Sequence, residues 1–166
     1  MTATGKQNSE KGNEVQRFIA EKYEGINVRD GHDIIFPCSD TNPIESLAEV
    51  KSFSSYYVQR SNGKEYHYPN VIKVDDEKHE KLKNDTDKTK RMPFYIFVLK
   101  PRNDNGEEAD KKEWIEACMT WENVDKMLNN PEITRKITNN CSKWRGYDCI
   151  RHYSVIRDAA KHIFGR

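Results

Sequence analysis

The chain lacks the features that mark membrane, secreted and disulfide-stabilised proteins. No apolar run approaches the ~18–20 residues that a membrane-spanning helix needs, and residues 1–13 contain no apolar signal-peptide core. Four cysteines in 166 residues, at positions 38, 118, 141 and 149, are too few and too scattered for a disulfide scaffold. We therefore expect a cytoplasmic protein in a reducing compartment.

Several common catalytic and cofactor motifs are also absent. The sequence has no P-loop, no glycine-rich dinucleotide fingerprint and no recognisable nucleophile elbow. Cys141, Cys149 and His152 are spaced more widely than the ligand pairs of structural zinc sites, which favours small buried cysteines over a zinc site. His67 and His79 have no sequence neighbour that would orient them for catalysis.

The composition indicates one domain with a small core and a highly charged surface. Hydrophobic residues make up 35% of the chain and charged residues 33%, with a net charge of +1. The charges are segregated, because residues 103–132 have a net charge of −6 and residues 133–166 one of +6. A basic segment with interleaved aromatic residues is typical of phosphate binding, although the two segments could instead pack against each other.

Apolar periodicity and turn residues predict an α/β fold with a mixed central β-sheet flanked by helices. We expect a disordered tail over 1–12 and a single domain over 13–166, with a core over 14–100 and a basic C-terminal extension over 101–166. The predicted helices cover 14–24, a surface helix that starts at 75 and ends in a loop before 91, 121–128 with Thr120 as its cap, and 154–164. The predicted strands cover 26–29, 33–36, 47–53, 56–60, 64–68 around an Asn62-Gly63 turn, 70–74, the apolar interior strand 93–100, and 114–119.

One pair of segments contains a candidate catalytic motif. Gly-His-Asp-Ile-Ile-Phe at 31–36 is followed, after a turn-rich stretch, by Ala-Glu-Val-Lys-Ser at 48–52. Side chains alternate along a strand, so Glu49 and Lys51 project to the same face. If residues 37–46 form the turn of a hairpin, Asp33 lies on the adjacent strand, and two carboxylates and an ammonium group converge.

Such a cluster suits divalent metal chemistry. Mg²⁺ prefers oxygen ligands, and one or two carboxylates with waters and a substrate phosphate are sufficient. A lysine beside the metal can orient an attacking water and stabilise developing negative charge. Glu14, on the first predicted helix, could reach the same site as a further metal ligand. The alternative is that Glu49 and Lys51 form an exposed cross-strand pair of charges.

From about Glu14 to Lys100 the sequence resembles the PD-(D/E)xK nuclease superfamily, which has the restriction-endonuclease-like fold. The resemblance consists of a helix with an acid, a hairpin with Asp33 and then Glu49-x-Lys51, a following helix and an apolar strand. It departs from the family pattern at His32, where a proline would complete the motif. The resemblance implies that Asp33 and Glu49 bind Mg²⁺, with Mn²⁺ as a possible substitute. It further implies that Lys51 assists the attacking water in phosphodiester hydrolysis, and that Glu14 matches the helical acid of some members.

The expected function is therefore a Mg²⁺-dependent endonuclease of the restriction type, acting on double-stranded DNA as a homodimer. The alternatives are a structure-specific nuclease such as a Holliday junction resolvase, and a non-catalytic nucleic-acid-binding module on the same fold. Half of the eight tyrosines lie around the Asn62-Gly63 turn, which fits DNA contact by stacking and hydrogen bonding, although tyrosine is also common in strands generally. The candidate DNA-contacting residues are Tyr56, Tyr57, Arg60, Lys64, Lys143 and Arg145.

Overall fold

The computed structural model describes most of the chain up to residue 150. Its backbone is described over residues 3–28, 33–38, 40, 43–54, 57–68, 71–103, 105–132, 134–138 and 145–150. Within these ranges, side chains are not described for residues 3–9, 11, 57–59, 66–68, 71–73, 135–138 and 145–150. The helix predicted over 154–164 lies outside the described residues.

Three helices and ten strands follow one another along the described chain. In chain order they are α1 (Ala3–Lys22), β1 (Ile26–Asn27), β2 (Ile34–Phe36), β3 (Ser46–Ser54), β4 (Tyr57–Ser61), β5 (Lys64–Tyr68), β6 (Val71–Asp75), α2 (Asp76–Thr89), β7 (Met92–Lys100), β8 (Ile115–Thr120), α3 (Trp121–Leu128), β9 (Thr134–Thr138) and β10 (Arg145–Ile150). A short 3₁₀ helix, Lys111–Glu113, precedes β8.

The central sheet has five strands in the order β1-β2-β3-β7-β8. β3 and β7 are parallel, paired from Ser46 with Met92 through Ser54 with Lys100, and the other neighbours are antiparallel. A parallel pair needs a crossover connection, and here the crossover contains β4, β5, β6 and α2. The predicted α/β fold with a mixed sheet is confirmed, and the apolar run at 93–100 is an interior strand as expected.

The two faces of the central sheet build two separate hydrophobic cores. On one face, α1 packs against even-numbered β3 and β7 residues, and the core contains Val15, Ile19, Ile34, Ala48, Ile96 and Val98. On the other face, α2 and α3 pack against odd-numbered residues of the same strands, and the core contains Leu47, Phe53, Leu82, Tyr95, Phe97 and Val124. Because strand side chains alternate between faces, Glu49 and Lys51 lie on the face that α2 and α3 cover.

Two helix boundaries differ from the prediction. α1 begins at Ala3 rather than after Asn13, because extending an existing helix needs no new nucleation. α2 continues to Thr89 instead of ending early in a loop. Its later turns are supported by Leu82 and Thr86, one helical turn apart and both buried. The predicted N-cap of α3 and the predicted hairpin turn at Asn62-Gly63 are both confirmed. Thr120 accepts a hydrogen bond from the Asn123 N–H, and both turn residues have positive φ.

The hairpin and the C-terminal strands form two smaller sheets. β4 and β5 pair with each other in a two-stranded sheet. β10 lies between β6 and β9 in a three-stranded antiparallel sheet. β9 and β10 were not predicted. Thus part of the basic C-terminal segment folds back onto the strand that leads into α2.

We expect Gly25→Ala to destabilise the protein by about 1–3 kcal/mol through overpacking. A Cβ at this position would lie 2.5 Å from Cγ2 of the buried Ile34 and 2.9 Å from Cε1 of Phe36. Urea unfolding would measure the change. Gly12→Ala is the matched control, because its Cβ would meet nothing within 4 Å, and we expect it to stabilise α1 by about 0.5–1 kcal/mol. Equal stability of Gly25→Ala and wild type would contradict the described packing after α1.

Candidate active site

The β2–β3 hairpin brings Asp33 next to Glu49. Antiparallel pairing sets Ile34 opposite Ala48, and the Asp33 backbone N–H donates to the Ala48 carbonyl oxygen at 3.3 Å. One step further in this register, Asp33 lies opposite Glu49, so their side chains share a face. The Asp33 carboxylate accepts a hydrogen bond of 2.6 Å from the Val50 N–H. The hairpin predicted between the two acidic residues is therefore present.

Glu49 and Lys51 form an ion pair on the same face of β3. The Lys51 Nζ donates to the Glu49 Oε1 at 2.7 Å, and the Lys51 side chain is about one-fifth exposed. Glu49 itself is only 3% exposed. A carboxylate at this depth needs a partner, because burial without one carries a large desolvation cost. The pair is thus not the exposed cross-strand pair of charges that the sequence left open.

Negative charge is concentrated at Asp33 and Glu49. Burial, followed by the charge of Glu49, raises the pKa of Asp33 to about 6. The Val50 N–H, Lys51 and Lys78 act in the opposite direction and offset only part of this rise. The two carboxylates therefore repel each other at neutral pH, and the nearby positive charges compensate this repulsion only in part.

Glu14 lies apart from the carboxylate pair. Its half-exposed carboxylate accepts from Lys111 Nζ at 2.8 Å, and this contact lowers the pKa of Glu14. The physical reason is that α1 packs on the sheet face opposite to Glu49 and Lys51. The helix residue that reaches the site is Gln16, whose Nε2 donates to the Asp33 carbonyl oxygen at 2.6 Å. In the part of the chain with described side chains, no three His, Cys, Asp or Glu residues cluster as a metal site.

Four of the six candidate DNA-contacting residues are in the described part of the chain, on the β4–β5 hairpin and on β10. The side chains of Arg60 and Lys64 lie near the exposed tip of the β4–β5 hairpin, where Arg60 Nε donates to Glu65 at 3.1 Å. Tyr57 and Arg145 lie on β4 and β10, and their side chains are outside the described set. Tyr56 and Lys143 lie outside the described residues, so their predicted role stays a prediction.

A buried network beside the carboxylate pair was missed from the sequence. His79 is 4% exposed, and both of its ring nitrogens have partners. Nδ1 lies 2.8 Å from the Tyr95 hydroxyl and Nε2 lies 3.0 Å from Asp125 Oδ1. The ring also stacks on Trp121, with centroids 4.3 Å apart. The expectation that nothing orients His79 is therefore wrong. Its partners are distant in sequence, and no local pattern indicates them.

Comparisons with protein-family models and with curated proteins gave no match to this sequence. No helix in the described part of the chain is long and apolar enough to cross a membrane.

The raised pKa of Asp33 predicts a specific dependence of stability on pH. A carboxyl group whose pKa is higher in the folded than in the unfolded state stabilises the fold at low pH. That contribution is lost as the pH rises through about 6. We therefore compare the unfolding free energies of Asp33→Asn and wild type in EDTA. Between pH 4 and pH 7, the difference should shift by about 1–3 kcal/mol in favour of Asp33→Asn.

Urea unfolding at several pH values measures this difference. Asp110→Asn is the matched control, because the Asp110 side chain is 80% exposed and its profile should run parallel to that of wild type. A parallel profile for Asp33→Asn would contradict the described repulsion between Asp33 and Glu49.

Proposed function

We propose that the protein is a Mg²⁺-dependent endonuclease that hydrolyses phosphodiester bonds in double-stranded DNA. The observation that carries this proposal is the grouping of Asp33, Glu49 and Lys51 on adjacent strands. Two neighbouring carboxylates, of which Glu49 is deeply buried, lie together with the Lys51 ammonium group, which is 2.7 Å from Glu49.

The order of the elements supports the resemblance to PD-(D/E)xK nucleases. α1, the β2–β3 hairpin, α2 and the parallel strand β7 follow one another along the chain, as the resemblance implies for the restriction-endonuclease-like core. Asp33 precedes the first hairpin strand, and Glu49 and Lys51 lie within the second. This is the arrangement in which that family holds its metal-binding acids and its lysine.

The residues present fit a magnesium ion. Asp33 and Glu49 would hold it, because Mg²⁺ needs only one or two carboxylates when waters and substrate phosphate complete its shell. The raised pKa of Asp33 reflects its burial first and then the negative charge of Glu49, which a divalent cation would offset. When bound, Mg²⁺ supplies Lewis acidity that offsets phosphate charge and makes water more acidic. Glu14 is not needed for this arrangement.

Lys51 is the residue we assign to the attacking water. Its ammonium group is aligned by Glu49 and still partly open to solvent, so it can reach a bound substrate. From there it would orient the water and stabilise the negative charge that develops on the phosphate oxygens. Two hydrogen bonds hold Asp33 in place. Gln16 donates to its carbonyl oxygen, and the Val50 N–H donates to its carboxylate.

The β4–β5 hairpin supports duplex DNA as the substrate. It begins shortly after β3, which contains Lys51, and forms a sheet of its own with an exposed tip. The major groove of B-DNA admits a two-stranded β-ribbon. Arg60 and Lys64 near the tip would contact phosphates or base edges. In a two-fold homodimer, each of the two sites would act on one DNA strand.

We expect the wild-type protein to cleave supercoiled plasmid with Mg²⁺ or Mn²⁺ and not with EDTA. Lys51→Ala and Glu49→Gln should each lower the cleavage rate by about 10²-fold or more, because Lys51→Ala removes charge stabilisation at the reacting phosphate and Glu49→Gln removes a metal-binding carboxylate. Lys112→Ala is the matched control, since its side chain is 79% exposed, and it should cleave like wild type.

The same assay on a four-way junction separates the alternatives. Cleavage of the junction alone would indicate a structure-specific nuclease such as a resolvase. Binding of DNA without cleavage of either substrate, with several divalent metals, would contradict the nuclease proposal and indicate a binding module. Size-exclusion chromatography with light scattering tests the proposed dimer.

A further inference from the structure

The Asp125–His79–Tyr95 network ties three elements together behind the carboxylate pair. His79 lies on α2, Tyr95 on β7 and Asp125 on α3. Trp121, also on α3, stacks on the His79 ring and donates from Nε1 to the His79 carbonyl oxygen at 2.9 Å. The imidazole is thus fixed by its ring face, by both ring nitrogens and by its backbone. So many constraints on one buried side chain define its orientation uniquely.

The partners of the ring determine which nitrogen carries the proton. A carboxylate only accepts hydrogen bonds, so Asp125 assigns the proton of the neutral ring to Nε2. Nδ1 is then an acceptor, and the Tyr95 hydroxyl must donate to it. The direction of the Tyr95 O–H bond is therefore set by Asp125, through His79.

Tyr95 links this network to the candidate site. In the parallel pairing of β3 with β7, Tyr95 is the register partner of Glu49. Its side chain is completely buried. Burial and the charges of Glu49, Asp33, Asp75 and Asp125 raise the pKa of Tyr95, so the phenol remains protonated. Its O–H dipole therefore acts on both candidate metal ligands across a poorly screened interior.

We propose that Asp125 and His79 are positioning residues that hold the Tyr95 hydroxyl proton away from the Asp33–Glu49 pair. With the positive end of the dipole directed at His79, the hydroxyl does not offset the negative potential that attracts a divalent cation. This inference rests on the proposed metal-binding function. It extends the candidate site from β2 and β3 to α3.

The test is Asp125→Asn, which keeps the size of the side chain. The Asn side chain offers Nε2 either its NH₂ group or its oxygen, whereas a carboxylate offers oxygen alone. Where the NH₂ group donates to Nε2, the ring proton moves to Nδ1 and the Tyr95 hydroxyl proton turns toward other acceptors. Isothermal titration with Mn²⁺ should show about tenfold weaker binding, the lower end of the range for residues that support metal ligands. In ¹⁵N spectra, His79 should change from the Nε2–H to the Nδ1–H tautomer.

Two controls separate this role from loss of charge or of fold. Glu122→Gln removes one negative charge from the same helix and should leave Mn²⁺ affinity within about twofold of wild type. In a Tyr95→Phe background, Asp125→Asn should have little further effect on Mn²⁺ affinity, because the hydroxyl that it reorients is gone. Urea unfolding of each variant checks that the fold is intact.

In Asp125→Asn, unchanged Mn²⁺ affinity with His79 in the Nδ1–H tautomer would overturn the positioning role, as would weaker affinity with the Nε2–H tautomer retained. Equal weakening with and without the Tyr95 hydroxyl would overturn it as well. If wild type binds no Mn²⁺, the metal site and this inference fail together. If wild type binds Mn²⁺ but cleaves no DNA, only the nuclease proposal fails, and the titrations still decide the positioning role.

Discussion

The parallel pairing of β3 with β7 is the interaction on which the rest of the structure depends. It runs in unbroken register from Ser46 with Met92 to Ser54 with Lys100. Both hydrophobic cores are built on its two faces, with α1 on one side and α2 and α3 on the other. Because parallel strands need a long crossover, this pairing also brings α2 across the face that contains Glu49. The same register sets Tyr95 beside Glu49 and so joins the buried network to the site.

The candidate site is costly for the fold in the absence of a cation. Asp33 and Glu49 are brought together by the β2–β3 hairpin, where burial and mutual repulsion raise the pKa of Asp33 to about 6. Lys51 compensates only part of this charge. A divalent cation between the two carboxylates would relieve the repulsion. Because a ligand that binds only the folded state stabilises it, such a cation would also stabilise the fold. The burial and mutual repulsion of these two carboxylates support a functional role more strongly than the spacing of the motif does.

Local patterns were sufficient to predict most of the central sheet and the separate β4–β5 hairpin. Alternation marked β3, an unbroken apolar run marked β7, and Asn62-Gly63 marked the hairpin, because each signal lies within a few neighbouring residues. The early start of α1 was missed because a helix extends without new nucleation beyond its apolar stripe. The late end of α2 was missed because the burial of Leu82 and Thr86 depends on the tertiary fold. β10 pairs with β6, which lies far earlier in the sequence. No periodicity within either segment indicates such a long-range pairing.

The strand residues of the site were predicted correctly, whereas the contributions of the helices were not. The positions of Asp33, Glu49 and Lys51 followed from strand alternation and one hairpin. Glu14 was placed on the correct helix, but the sheet face that a helix covers is a property of the tertiary fold. Gln16 therefore reaches Asp33, and Glu14 pairs with Lys111 instead. His79 has partners on β7 and α3, and only the assembled fold reveals them.

The most direct measurement is the position of a bound metal ion. Crystals of the full chain grown with Mn²⁺ would locate it by anomalous diffraction. The proposed function predicts a peak within about 2–2.5 Å of carboxylate oxygens of both Asp33 and Glu49, the distance range for oxygen ligands. Full occupancy at another site, with no peak between these two carboxylates, would contradict the central claim.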